Sequence, residues 1–341
     1  MPSKIVIFGA SLAGERAFRH AGPDEEVVAF IDNDLSKHRT VHCGIEVQAP
    51  SALENLDCDV VRIASDRSRE IYSQLVATGW SENRIEIDYS PSNKSLFDDW
   101  QRKHAARLGA FKNRHHGEDC FLLGNGPSLG EMNLSPLKDY HTFGLNKIHL
   151  IFPKSEFRPS YHIAVNPIVV EQSKSDFERM DCPSFLPMSN RGTDEAQNDS
   201  IYYINSPESQ AFSKDATQAV CQGSTVTYAA MQLAWFMGFE NVFLIGVDHS
   251  FAVAGKPNER QRMGAVDLNH FDPGYFANQD WQLPDLAGSE FSYKMAKKNY
   301  ENSCPPRSIW DATLGGKLRL FPKISFEEAL ERCRCRKDST V

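Results

Sequence analysis

The run Phe121-Leu122-Leu123-Gly124-Asn125-Gly126-Pro127-Ser128-Leu129 constrains this chain more than any other stretch, because an apolar strand enters a turn of small residues with no transition. Gly124 and Gly126 free the backbone for positive φ and for close approach to a bound group. Asn125 and Ser128 add short hydrogen-bonding side chains beside exposed N–H groups. A phosphate or nucleotide suits such a turn. An ordinary strand-to-helix connection capped by Ser128 uses the same residue types, so the turn alone leaves both readings open.

The amino-terminal part has a similar arrangement. Lys4 to Phe8 is an apolar strand running into Gly9-Ala10-Ser11-Leu12-Ala13-Gly14, then a helical stretch, then the strand Val27–Ile31 ending at Asp32. That is the order of a Rossmann βαβ unit, with Ser11 in place of the second glycine, Gly9 and Gly14 keeping the tight approach, and Asp32 where a ribose-binding carboxylate would stand. Val60–Ala64 and Arg84–Ile87 read as further parallel strands around a helix from Glu70 to Thr78. The polar stretch Ser90 to Lys94 breaks the pattern. The expected organisation is therefore a Rossmann-like domain over 1–92, a connecting helix within 93–116 and a larger domain over 117–341, as suits a chain of 341 residues.

In the larger domain several strands end in polar residues. The strand from His141 reaches Asn146, Tyr161 to Val165 reaches Asn166, and Asn241–Ile245 reaches Gly246-Val247-Asp248-His249. Ligands of open α/β sheets bind at strand carboxyl ends, so Asn125, Asn146 and Asn166 are placed to line one crevice from three strands. Gly223-Ser224-Thr225 opens an apolar helix that stops at Gly238, offering helix N-terminal N–H groups to an anion or simply an N-cap. The stretch from Ala252 to Gly288 is rich in Gly, Pro, Asp and Asn and carries Asn269-His270-Phe271 and Tyr275, the composition of a lid or binding loop. A last strand at Ser308–Thr313, a Gly315-Gly316 turn and a closing helix from Ile324 to Cys333 complete the domain.

Composition narrows the function classes. With 41% hydrophobic and 24% charged residues and a formal net charge of −8, the chain lacks the basic balance of a nucleic-acid binder. Its eight cysteines show no C-x-x-C spacing and no disulfide-scaffold density, which predicts reduced thiols and no zinc site of that type. No apolar run approaches the roughly 18 residues of a membrane span, and no signal segment precedes the first strand. These features predict a cytoplasmic protein with no integral membrane segment; the basic tail Arg332 to Lys337 leaves peripheral contact with the inner membrane face open.

Asn125-Gly126-Pro127-Ser128, Leu145-Asn146-Lys147, Gly223-Ser224-Thr225-Val226, Gly246-Val247-Asp248-His249-Ser250-Phe251, Asn269-His270-Phe271 and Ala312-Thr313-Leu314-Gly315-Gly316 together resemble the MptE-like family, over residues 117 to 333. That family includes motility accessory factors implicated in glycosylating flagellin and an archaeal 6-hydroxymethyl-dihydropterin diphosphokinase, and it is similar to sialyltransferases of glycosyltransferase family 42. Residues 1–90 resemble small amino-terminal domains of bacterial sugar-modifying and polysaccharide enzymes, through the Phe30-Ile31-Asp32-Asn33-Asp34 strand end and Gly44-Ile45-Glu46-Val47.

The resemblance implies an α/β protein of two Rossmann-like domains, the second a doubly wound sheet resembling a GT-A-like sialyltransferase fold. It implies an inverting, nucleotide-sugar-dependent glycosyltransferase of surface polysaccharide or glycoprotein assembly, with a glycan or glycoprotein acceptor and no required cofactor. Asn125 and Asn146 would contact the nucleotide and its phosphate, Ser224 and Thr225 the nucleotide sugar, and His270 would be the general base, with His249 and Asp248 as competitors or helpers. The tyrosines that the sialyltransferases place after the Gly-Ile-Asp strand are replaced by His249-Ser250-Phe251. Tyr275 is the substitute for the leaving phosphate, and a CMP-linked donor is one of several open. The alternatives are an ATP-dependent diphosphokinase, which would need Mg²⁺, and a non-catalytic nucleotide-binding protein. The sequence sets no oligomeric state and leaves a homo-oligomer open.

Overall fold

The computed structural model describes residues 1–91, 94–190, 198–252 and 255–333. Arg334 to Lys337 of the basic tail lie outside them. The chain forms two compact units, one of residues 1–98 with 209–211 and one of residues 99–208 with 212–341. Both are α/β with parallel sheets, and seven α-helices occur among the described residues.

The first unit runs β1 (Ser3–Phe8), α1 (Leu12–Arg19), β2 (Glu25–Ile31), β3 (Val41–His42), β4 (Ile45–Gln48), β5 (Val60–Ile63), α2 (Ser68–Ala77) and β6 (Ile85–Ile87). Its sheet order is β3-β4-β2-β1-β5-β6, parallel except for the β3–β4 hairpin. Counting the parallel strands in chain order gives 3-2-1-4-5, the Rossmann order, with the reversal between β1 and β5. Ile5, Ile7, Phe30 and Val47 form the core under α1. Gly14 lets that helix come down onto the β1 turn, since a Cβ there would lie 1.9 Å from the Gly9 carbonyl oxygen.

The second unit contains most of α3 (Lys94–Gly109), then β7 (Cys120–Leu123), β8 (Thr142–Leu145), β9 (Tyr161–Ile163), α4 (Pro167–Phe177), β10 (Ser184–Pro187), β11 (Ile201–Ile204), α5 (Val226–Met237), β12 (Asn241–Ile245), β13 (Arg260–Arg262), β14 (Asp280–Gln282), α6 (Leu286–Glu301), β15 (Ser308–Asp311) and α7 (Phe326–Arg332). Its seven-stranded sheet has the order β11-β10-β9-β8-β7-β12-β15, all parallel. β7 and β8 are buried at every position, as central strands covered on both faces must be. α5 is buried on nearly all sides and stops where Gly238 takes a left-handed conformation at φ 93°.

The chain winds outward from β7 to β11 and then returns to place β12 on the other side of β7. The reversal falls between β7 and β12, and the carboxyl ends at such a reversal are the position at which open α/β sheets bind ligands. The segment between Ala252 and Gly288 is only partly irregular: β13 and β14 form an antiparallel ribbon inside it, and α6 begins at Leu286.

Candidate functional site at the strand reversal

β7 and β12 end level, with Leu123 opposite Ile245, so the glycines that follow lie side by side. The Gly124 N–H donates to the Ile245 carbonyl at 2.8 Å and the Gly126 N–H to the Gly246 carbonyl at 2.9 Å. Neither Gly124 nor Gly126 has positive φ, contrary to expectation; what they supply is room. A Cβ on Gly124 would lie 2.3 Å from the Gly246 oxygen, and one on Gly126 1.9 Å from Asp248 Oδ2. The positive φ belongs to Gly246, at 65°. Asp248 then reaches across the crevice, accepting from the Ser128 hydroxyl at 2.8 Å and the Ser128 N–H at 3.2 Å. Burial pushes the Asp248 carboxyl up, with the Ser128 bonds opposing and the nearby Asp311 charge adding to the rise.

Asn125 and Asn146 meet one strand further along. Asn125 Nδ2 donates to the Leu145 carbonyl at 2.8 Å, which fixes its amide orientation and leaves Oδ1 buried with no partner. Asn146 takes a left-handed conformation at φ 45°, and its Oδ1 is likewise buried and unpartnered. Two orphaned carbonyl oxygens are costly, at about 1–3 kcal/mol each. Both are acceptors, so they match hydroxyl or amino groups, and the amide nitrogens of the same side chains are donors.

The Asn146 backbone is held by His162, a residue that sequence reasoning left as part of a strand. His162 is fully buried, with Nε2 2.8 Å from the Asn146 carbonyl and Nδ1 2.6 Å from Ser184 Oγ. Burial lowers its pKa to about 4, so the neutral ring donates from Nε2 and accepts the Ser184 hydroxyl at Nδ1. The folded pKa lies below the ordinary 6.5, so the folded chain binds fewer protons between these values. The stability contribution is full above pH 6.5 and declines as pH falls toward 4. Denaturant titrations across this range should show a smaller loss of stability on acidification in His162→Gln than in the parent. An identical pH dependence in the two proteins would remove His162 as the cause.

Across the strand ends lies the loop carrying His270. The Phe271 N–H donates to the Asn125 carbonyl at 3.0 Å, fastening the loop to the glycine turn. His270 Nδ1 is 2.8 Å from Oδ2 of Asp267, whose side chain is wholly buried. The imidazole stacks on Tyr275 with ring centroids 4.0 Å apart and an interplanar angle of 3°. A histidine oriented by a buried carboxylate through Nδ1 presents Nε2 as its working nitrogen. Tyr275, expected at the leaving phosphate, is buried beneath the ring, where its hydroxyl accepts the Lys147 N–H at 3.2 Å. Burial raises its pKa, with the Lys147 N–H bond opposing.

Lys147 is buried and donates to Gln172 Oε1, the Tyr275 carbonyl and Gln279 Oε1 at 2.8–2.9 Å. Desolvation brings its pKa down to about 8. Neither Asp267 nor Lys147 was singled out from sequence. The signal was present in Asp267 standing three residues before His270, and in Lys147 following Asn146.

The remaining expected residues lie at helix starts and strand ends around this arrangement or in the first unit. Asn166 is committed as the N-cap of α4, its Oδ1 accepting from Ile168 and Val169 and its Nδ2 donating to Gln282. Thr225 caps α5, and Ser224 sits at φ 64° with its carbonyl near Ser289 Oγ. His249, at φ 53°, places Nε2 3.1 Å from the exposed Glu290 carboxylate on α6. In the first unit the Asp32 carboxylate accepts from the Ala10 and Asp34 N–H groups and the Lys37 ammonium. Burial opposes these bonds, yet they hold its pKa below the usual value. Gly9, at φ 127°, and Ser11, at the start of α1, form the loop that Asp32 pins.

Residues 97–253 match the family model described as 6-hydroxymethylpterin diphosphokinase MptE-like, and residues 1–86 match the C2185-like, N-terminal model. A search of curated proteins gave no match. Among solved structures, the MAf glycosyltransferase from Magnetospirillum magneticum AMB-1 aligns at 14% identity and a TM-score of 0.43, over 98% of this chain and 58% of that one. The chain thus spans little more than half the length of that protein. UDP-D-quinovosamine 4-dehydrogenase from Vibrio fischeri aligns at 25% identity and a TM-score of 0.23, over 29% of this chain and 86% of its own.

Proposed function

We propose that the second unit is a glycosyltransferase that binds a nucleotide-activated sugar at the β7–β12 reversal and uses His270 to deprotonate an acceptor hydroxyl. The observation that carries this reading is the Asp267–His270 pair on a loop bonded to the Asn125 turn, a base and its orienting carboxylate beside a nucleotide-type crevice. The MptE-like match over 97–253 supports it, together with the resemblance of the motifs to family 42 sialyltransferases. Asn125 and Asn146 then accept from ribose hydroxyls or an exocyclic amino group, and helix and loop N–H groups are left for the phosphate.

Calorimetric titration with CMP, UDP, GDP and ATP is the direct test. Asn125→Ala should weaken the best nucleotide about tenfold, the loss of one buried hydrogen bond. Unchanged affinity would remove this turn from the site.

The name of the matched family supports a second reading, a diphosphokinase. That reaction needs Mg²⁺ and carboxylates to hold it. The two readings part in EDTA: the transferase turns over at its full rate, whereas loss of turnover restored by Mg²⁺ would favour the diphosphokinase.

A further inference from the structure

We infer that His115, Glu118 and His141 form a binding site for a divalent first-row cation, with zinc the fitting ion, at the amino-terminal end of two central strands of the second unit's sheet. The three offer one ligand atom each, all within 4.8 Å of one another. They come from two segments. His115 and Glu118 stand three residues apart in the turn before β7, and His141 immediately precedes β8. This end of the sheet is opposite the Asn125 crevice, so the site is separate from the one that holds the nucleotide.

One oxygen, Glu118 Oε2, lies 2.5 Å from His115 Nδ1 and 3.2 Å from His141 Nε2. Two imidazole nitrogens and a carboxylate converging from different segments are the donor set of zinc, which takes nitrogen at about 2.0–2.1 Å and carboxylate oxygen at about 2.0–2.2 Å. Magnesium and calcium prefer oxygen ligands and would be poorly served. A cation replaces the protons that otherwise let both rings share one carboxylate oxygen.

The surroundings orient the rings for this. His115 Nε2 is 2.7 Å from the Tyr161 hydroxyl, and that hydroxyl can donate or accept. His115 can therefore turn its Nδ1 lone pair to a metal while Nε2–H donates to Tyr161, the kind of outer partner that metal-bound histidines keep. Its ring is stacked on Phe239, with centroids 4.6 Å apart and an interplanar angle of 12°. The Glu118 side chain is 41% exposed, which leaves an entry path and room for a water ligand. A bound ion would tie the turn before β7 to the start of β8, the two strands whose far ends carry Asn125 and Asn146.

The test uses the full chain, stripped with chelator and dialysed, and titrated with Zn²⁺ and separately with Co²⁺. Saturable one-to-one Zn²⁺ binding with a raised melting temperature is expected, and Mg²⁺ should have no effect. Glu118→Gln, which keeps the side chain's size, and His141→Ala should each weaken Zn²⁺ at least tenfold. Bound Co²⁺ should show ligand-field bands without a thiolate charge-transfer band, since no cysteine is in the donor set. If the variants lose stability, their folding by circular dichroism and the Co²⁺ spectrum of the parent still decide the matter. The inference is overturned if the parent shows no saturable binding, if folded Glu118→Gln and His141→Ala bind as the parent does, or if the Co²⁺ spectrum carries a thiolate band.

Discussion

His270→Ala is expected to lower kcat by about 10²–10⁴ while nucleotide affinity changes little, because a general base acts in the transition state and not in ground-state binding. The stack on Tyr275 and the bond to Asp267 make the expectation more specific. Asp267→Asn preserves the shape of the loop but favours the wrong tautomer, so it should lower kcat substantially with KM nearly unchanged. His249→Ala should do less, since the His249 ring is paired with the exposed Glu290 rather than with a buried carboxylate. A His270→Ala enzyme turning over at the parent rate with saturating acceptor would exclude the mechanism. A large loss in His249→Ala alone would move the base there.

Gly124→Ala is expected to have the largest effect on stability of any single methyl addition to the crevice. The new Cβ would sit 2.3 Å from the Gly246 oxygen and 2.7 Å from its carbonyl carbon, and both are backbone atoms of the neighbouring strand end. Relief requires β7 and β12 to part where they are bonded, a distortion that costs about 1–3 kcal/mol or more. Equilibrium denaturation of the two proteins measures it, and a shift below about 0.5 kcal/mol would mean the strand ends give way easily. In Gly126→Ala the nearest atoms belong to the Asp248 side chain rather than to backbone, so it should spare stability more and weaken the Ser128–Asp248 bridge instead.

Much of the fold was legible in the sequence where glycine and apolar runs coincide. β1, β2, β7, β8 and β12 are strands buried at their carboxyl ends and followed by turns, and that pattern needs no partner to be recognised. α4, β10, β11 and α6 carry no such punctuation and received no assignment. α6 was obscured because its start at Leu286 lies at the end of a segment whose composition reads as loop.

The site was legible in part for a related reason. Asn125, Asn146 and His270 stand in short motifs, but residue type does not reveal whether an asparagine is spent as a cap, as Asn166 is. His162 stands between Tyr161 and Ile163 on a strand, and that setting gives no sign of what its two nitrogens meet. The partners lie on β10 and after β8, and only the register of the sheet brings them together.

The bond between Asp32 and the Ala10 N–H has a consequence for the first unit. In dinucleotide-binding folds the turn after the first strand is a vacant cradle awaiting an anion. Here the protein furnishes that anion from its own second strand end and neutralises it with Lys37. A phosphate arriving at this turn would meet a carboxylate of its own sign already bonded to the Ala10 N–H. The turn is thereby held to the second strand end of its own domain, through one N–H and one ammonium.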